Sequence, residues 1–147
     1  MENTLTLTAT AAISVNATTS QVWRALTTPK LIKQYLMGTD VTSDWKEGSA
    51  ITYEGEYQGK KYHDKGIIKK IEPNKLFQNT YWSSMSGKED VPENYKLVTY
   101  TISTKKHQTL VTITQENNAN EKEKEHSTEN WNTVLQKMKE VIESINS

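Results

Sequence analysis

The stretch 131-WNTVLQKMKEVIESI-145 decides the fold. Its apolar residues Trp131, Val134, Leu135, Met138, Val141, Ile142 and Ile145 fall at offsets 0, 3, 4, 7, 10, 11 and 14, which is one face of an α-helix. Such a stripe is stable only when another apolar surface covers it. The residues just ahead of it, Asn117 to His126, are charged and of low complexity, with alternating signs from Glu121 to Glu125. They read as a loop running into a solvated first turn.

Residues 39 to 116 supply the covering surface as strands. Ile51, Tyr53, Gly55 and Tyr57 alternate with Thr52, Glu54, Glu56 and Gln58. Gly59-Lys60 marks a hairpin turn, Lys61 to Ile71 the next strand, and Glu72-Pro73-Asn74-Lys75 another turn. Leu76 to Trp82 is a strand with two possible phases: Phe77, Asn79 and Tyr81 face inward, or Leu76, Thr80 and Trp82 do. Ser83 to Asn94 is a long polar loop. Lys96 to Ser103 alternates again, and Leu110 to Gln115 closes the series. These connections are too short for crossover helices, so the strands form an antiparallel meander.

Ahead of the meander, Leu5, Leu7, Ala9, Ala11, Ile13 and Val15 alternate with Thr4, Thr6, Thr8, Thr10, Ala12 and Ser14, a strand of about a dozen residues. Two short helices follow it. Thr18-Thr19-Ser20-Gln21 has capping-box form, with Val22, Trp23, Ala25 and Leu26 as the apolar face. Thr28-Pro29 starts the second, with Leu31, Ile32, Tyr35 and Leu36 as its stripe and Gly38 as its stop. The expected fold is α+β: a curved antiparallel sheet wrapped around a long C-terminal helix, with two short helices between strands 1 and 2, the helix-grip arrangement. A curved sheet and a straight helix do not touch everywhere, and bulky side chains or a ligand fill the gap.

Composition narrows the chemistry. The 147 residues fit one domain, 1–147, and 18 basic residues balance 18 acidic ones, so no global attraction to nucleic acid or an anionic membrane is expected. Zero cysteines exclude disulfides, thiolate zinc sites and a cysteine nucleophile. Met1-Glu2-Asn3-Thr4 lacks the basic start of a signal peptide, and no apolar run reaches membrane-spanning length, so a cytoplasmic location is expected. His63, His107 and His126 are scattered, and His63 and Asp64 point to opposite faces of their strand, so no metal is expected. There is no nucleophile elbow, P-loop or dinucleotide fingerprint. Glu54, Glu56 and Glu72 read as exposed strand charges, and Lys60-Lys61 and Lys69-Lys70 are too sparse for a phosphate track. The expectation is a protein that is not an enzyme and needs no cofactor.

The aromatic residues say more. Trp23, Tyr35, Tyr53, Tyr81, Tyr100 and Trp131 fall on faces expected to look inward, and with Leu135 and Met138 they form the candidate ligand cavity. Tyrosine and tryptophan bring polar tips that want partners when buried, which suits a ligand with a polar end. The loop from Ser83 to Asn94 is placed to gate the mouth.

The stretch 13-ISVNATTSQVWRALTTPKLIKQYL-36 resembles the opening of the AHSA1-like (activator of Hsp90 ATPase homologue 1-like) domains of the START-like, SRPBCC (Bet v 1-like) superfamily. 45-WKEGSAITYEG-55, 66-GIIKKIEPNKLFQNTYW-82 and 130-NWNTVLQKMKEVI-142 resemble the elements that follow in that family, in the same order. Tyr35 stands where the family usually has Trp, and Asn130 where it usually has Gly. The resemblance implies the helix-grip fold and two candidate roles. One is a cavity for a small hydrophobic or amphipathic ligand. The other is an interaction module for a chaperone or another protein, of stress-response type. The superfamily also includes cyclases, which would need an acid or base in the cavity, and the strand pattern places none there.

Overall fold

The computed structural model describes residues 7–145, and every structural statement and count refers to these. In chain order they form β1 (Ala9–Val15), α1 (Thr19–Thr27), α2 (Pro29–Tyr35), β2 (Asp40–Ser43), β3 (Ala50–Tyr57), β4 (Lys60–Glu72), β5 (Leu76–Tyr81), β6 (Lys96–Lys105), β7 (Gln108–Glu116) and α3 (Glu121–Ile145). The strands make one curved sheet in the order β1-β7-β6-β5-β4-β3-β2, antiparallel throughout. Only β1 leaves chain order, and the two short helices carry the chain from that edge to the opposite one. With α3 gripped against the concave face, this is the helix-grip fold.

Local chemistry accounts for the element ends. Thr18 caps α1 through a reciprocal box: its hydroxyl accepts from the Gln21 N–H, and the Gln21 side chain accepts from the Thr18 N–H. Pro29 starts α2, although the Thr28 side chain makes no capping bond. The β3–β4 turn is Gln58-Gly59, one residue earlier than the sequence suggests, because both take positive φ (51° and 81°) as a tight primed turn requires. The first strand is shorter than its alternation. It begins at Ala9, since β7 ends at Glu116 and the Leu7 carbonyl instead accepts from Asn118 Nδ2 at 2.6 Å; Thr4, Leu5 and Thr6 lie outside the described residues. α3 is longer than its apolar stripe. It starts at Glu121, where the Asn120 side chain accepts the Glu123 N–H at 2.9 Å.

Ile51, Ile68, Val111, Ile113, Leu135 and Met138 are fully buried and anchor the core between sheet and helix. The inward face of β1 carries Ala9 and Ala11, both buried. Their small side chains let α3 settle closely along this edge, and α3 lies mainly against β1 and α2. The middle of the sheet is therefore left partly uncovered.

Carboxylates fasten the helix and loops to this frame. Glu143 accepts from Lys139 Nζ at 2.6 Å and from the Asn16 N–H at 2.8 Å, and these bonds hold its carboxyl below the usual range. Asp90 is lowered by hydrogen bonds from Lys65 and Tyr95. At Glu123 burial pushes upward, but bonds from Lys96 and the Ala119 N–H, with Lys88 nearby, bring it down overall. A carboxyl depressed by folding contributes stability above its unfolded value and loses it as pH falls through its folded value. The urea midpoint is therefore expected to drop between roughly pH 5 and pH 3, and Glu143→Gln should flatten part of that drop. A midpoint that is constant down to the bottom of this range would contradict these contacts.

Candidate functional site

The uncovered middle of the sheet forms a cavity of about 330 Å³, at the small end of ligand-binding sites. Strand alternation builds its floor. Phe77, Asn79 and Tyr81 take the inward phase of β5, which settles the two readings of that strand. Tyr53 comes from β3, Val98 and Tyr100 from β6, and Gln115 from β7. Trp131 and Val134 near the middle of α3 form one wall, and Tyr35 at the end of α2 another.

The rings support one another edge to face. Tyr53 and Tyr81 lie 5.4 Å apart at 75°, and Tyr100 and Trp131 5.9 Å apart at 88°. Most polar tips have partners. The Tyr35 hydroxyl donates to the Ala25 carbonyl at 2.9 Å, in the last turn of α1. Trp131 Nε1 donates to Gln115 Oε1 at 2.8 Å, and Gln115 Nε2 donates to Ser127 Oγ at 3.0 Å. The Tyr81 hydroxyl donates to Asp64 Oδ2 at 2.5 Å. Burial pushes the phenols of Tyr35, Tyr53 and Tyr100 up; burial and then the Asp64 charge do the same at Tyr81. All four stay neutral and act as hydrogen-bonding groups.

Asp64 corrects one expectation from the sequence. It is 6% exposed and lines the cavity, because β4 turns Asp64, Gly66 and Ile68 to the inside. Its oxygens are occupied: Oδ2 by Tyr81, Oδ1 by the Ser84 N–H at 3.0 Å and the Ser84 hydroxyl at 3.3 Å. The carboxylate thus anchors the 83–94 loop, which carries Met85 to the cavity mouth. Glu56, expected on the outer face, also stands at the mouth. Glu54 does face outward, paired with His63 at 3.3 Å.

Gly55 makes room for a second anchor. Tyr62 lies across it, so closely that a β-carbon there would meet the hydroxyl at 2.3 Å. The Thr39 hydroxyl donates to the Leu36 carbonyl at 2.8 Å and so accepts from Tyr62 at 2.6 Å. This ties the chain after α2 to the sheet. Met37, Tyr57 and Met85 then rim the mouth, with exposures of 68%, 59% and 47%.

Of the eight residues singled out from the sequence, Tyr35, Tyr53, Tyr81, Tyr100 and Trp131 surround this cavity. Trp23, Leu135 and Met138 do not line it. Trp23 is half-buried on α1, and Leu135 and Met138 belong to the solid core where α3 is pressed home. The sequence reading missed Asn79, Asp64 and Gln115. Gln115 shares the inward phase of Val111 and Ile113, so strict alternation points to it. Asn79 was hidden by the ambiguous phase of its strand. Its Nδ2 donates to the Tyr53 hydroxyl at 3.1 Å and the Thr80 carbonyl at 2.8 Å, while its Oδ1 is buried without a partner.

Among the described residues no three His, Asp or Glu side chains gather as a metal site, and no helix is long and apolar enough to cross a membrane. A wider groove of about 590 Å³ lies beside the β6–β7 turn, bordered by Asn16, Thr18, Thr104 and His107. It is open and has no aromatic or large aliphatic side chain in its lining apart from the His107 ring, so the cavity under α3 is the better site.

Comparison with known proteins agrees with the fold. The sequence pattern described as activator of Hsp90 ATPase homolog 1-like protein matches residues 16–143. A Cytophaga hutchinsonii protein of known solution structure is 43% identical, with a TM-score of 0.82 over 95% of this chain and 97% of that one. The Aha1 dimer of Colwellia psychrerythraea is 20% identical, with a TM-score of 0.71 over 92% of this chain and 95% of that one. A protein of the dynemicin biosynthetic locus is 15% identical, with a TM-score of 0.77 over 92% of this chain and 47% of that one. These last two share the fold alone. Among curated proteins no sequence matches significantly.

Proposed function

We propose that this chain, which belongs to the activator of Hsp90 ATPase homolog 1-like family, binds a small hydrophobic or amphipathic ligand in the cavity between the sheet and α3. The observation that carries this reading is the clustering of exposed apolar side chains. Of the five large hydrophobic residues exposed among the described ones, Met37, Tyr57 and Met85 stand together at the mouth of the aromatic cavity. Exposed apolar groups gathered at one concave place mark a binding site, and methionine adapts to varied apolar shapes. The other two, Ile67 and Ile145, lie apart from that mouth and do not line it. The family's name speaks of Hsp90 activation, but the place of these residues around a concave opening favours a small ligand over a protein surface.

Nile red titrated into the purified full chain is expected to bind saturably at one site, and native mass spectra should show a small-molecule adduct after exposure to apolar ligands. Val134→Phe fills the cavity from the helix side and should weaken dye binding about tenfold, ~1.4 kcal/mol, while circular dichroism shows the fold retained. Dye uptake that never saturates, or that ignores this substitution, would count against the reading.

A further inference from the structure

Asn79 is 1% exposed, and its Oδ1 is an acceptor with nothing to accept. The amide cannot resolve this by turning over. Rotation would place Oδ1 against the Thr80 carbonyl, now 2.8 Å from Nδ2, and set acceptor against acceptor. The Tyr53 hydroxyl accepts from Asn79 Nδ2 at 3.1 Å, and among the described residues no acceptor takes its own hydrogen. A buried acceptor without a donor and a hydroxyl hydrogen without an acceptor thus belong to neighbouring residues of the cavity lining, which is rich in aromatic side chains. Among the lining residues there is no Lys or Arg, while Asp64 and Glu56 are both acidic.

We propose that the ligand is an uncharged amphiphile whose polar end both donates and accepts a hydrogen bond, an alcohol or a carboxamide, held between Asn79 Oδ1 and the Tyr53 hydroxyl. This rests on the ligand-binding reading above and adds the chemistry of the head group. A carboxylate has no hydrogen for Asn79, and its charge would enter a site with two acidic groups and no cation to offset it. An ammonium has hydrogens but accepts nothing from Tyr53, and it must shed its water to enter an aromatic cavity. The high phenol values of Tyr53 and Tyr100, raised chiefly by burial, keep both hydroxyls available as neutral donors.

The test is displacement of Nile red from the full chain by four probes of equal chain length at neutral pH: n-octanol, octanamide, octanoate and n-octylamine. Octanol and octanamide are expected to displace the dye at concentrations about tenfold lower than octanoate and octylamine. Octanoate or octylamine binding as well as octanol overturns this inference and leaves the ligand-binding reading standing. Absence of saturable dye and probe binding overturns both. In Asn79→Leu the preference for octanol over octanoate should fall to within about threefold, with Nile red binding retained as the measure of an intact cavity. An unchanged preference in that variant overturns the assignment to Asn79. The four-probe series on the unaltered chain decides the head-group class even if the variant does not fold.

Discussion

Gly66→Ala is expected to destabilise the protein by ~4 kcal/mol or more, at the extreme of single-substitution effects, and to leave a large unfolded fraction in a domain of ordinary stability. A β-carbon at this position would lie 1.6 Å from the Thr80 carbonyl oxygen and 2.5 Å from its carbonyl carbon. Both are main-chain atoms, so no rotamer change relieves the clash and the strands themselves must part. They are held together on either side. Lys65 and Trp82 exchange backbone hydrogen bonds of 3.1 and 2.8 Å, and the Ile67 N–H donates to Thr80 Oγ1 at 2.9 Å in place of a ladder bond. Asp64 and Tyr81 flank this approach and meet in the cavity floor. Whatever folded fraction of the variant remains should therefore bind dye poorly as well. Urea unfolding measures the first effect, and a midpoint close to the parent's would show that β4 and β5 do not meet this closely.

Leu135→Ala is expected to cost about 3–5 kcal/mol, the loss of a buried leucine plus the void it leaves. Leu135 is 1% exposed within the core on α3. Ile145→Ala, on the same apolar stripe of the same helix, should change stability by less than ~0.5 kcal/mol, because Ile145 is 56% exposed. The pair is measured by denaturant unfolding at one pH. Equal losses from the two substitutions would mean that α3 is covered along its whole length, against the exposure of its last turn.

That contrast shows where a periodic pattern stops being informative. Offsets along a helix report which residues share a face, and Leu135 and Ile145 share one. They do not report how far along the face the covering surface extends. The same limit appears at the other end of the helix, where the charged run 121–126 is helical although no apolar stripe marks it. Backbone hydrogen bonding and the Asn120 cap start the helix there, and neither leaves a periodic trace.

The site was half legible for a related reason. Five aromatic residues could be placed around a gap because aromatic side chains on inward strand positions have little choice but to pack there. The polar residues that give the cavity its character were hidden. Alternation puts Asp64 and His63 on opposite faces, but only the folded chain brings Asp64 under the Ser84 loop and against Tyr81. Asn79 reads as either inside or outside, since both phases of 76-LFQNTYW-82 offer apolar residues. The neighbouring strands β4 and β6 settle the phase by register, pairing Asn79 with Ile68 and Val98.

By itself the sequence determined the elements, their antiparallel order and the need for a curved sheet to embrace the last helix, because alternation and helical spacing are local consequences of backbone geometry. Only the tertiary structure decided that Ala9 and Ala11 draw α3 to one edge of the sheet, which leaves the cavity over the other strands, and that Asn79 in its wall keeps a buried Oδ1 unmatched. The physical reason is that a void and an unsatisfied atom are properties of surfaces that come together from distant parts of the chain, and no stretch of residues carries them alone.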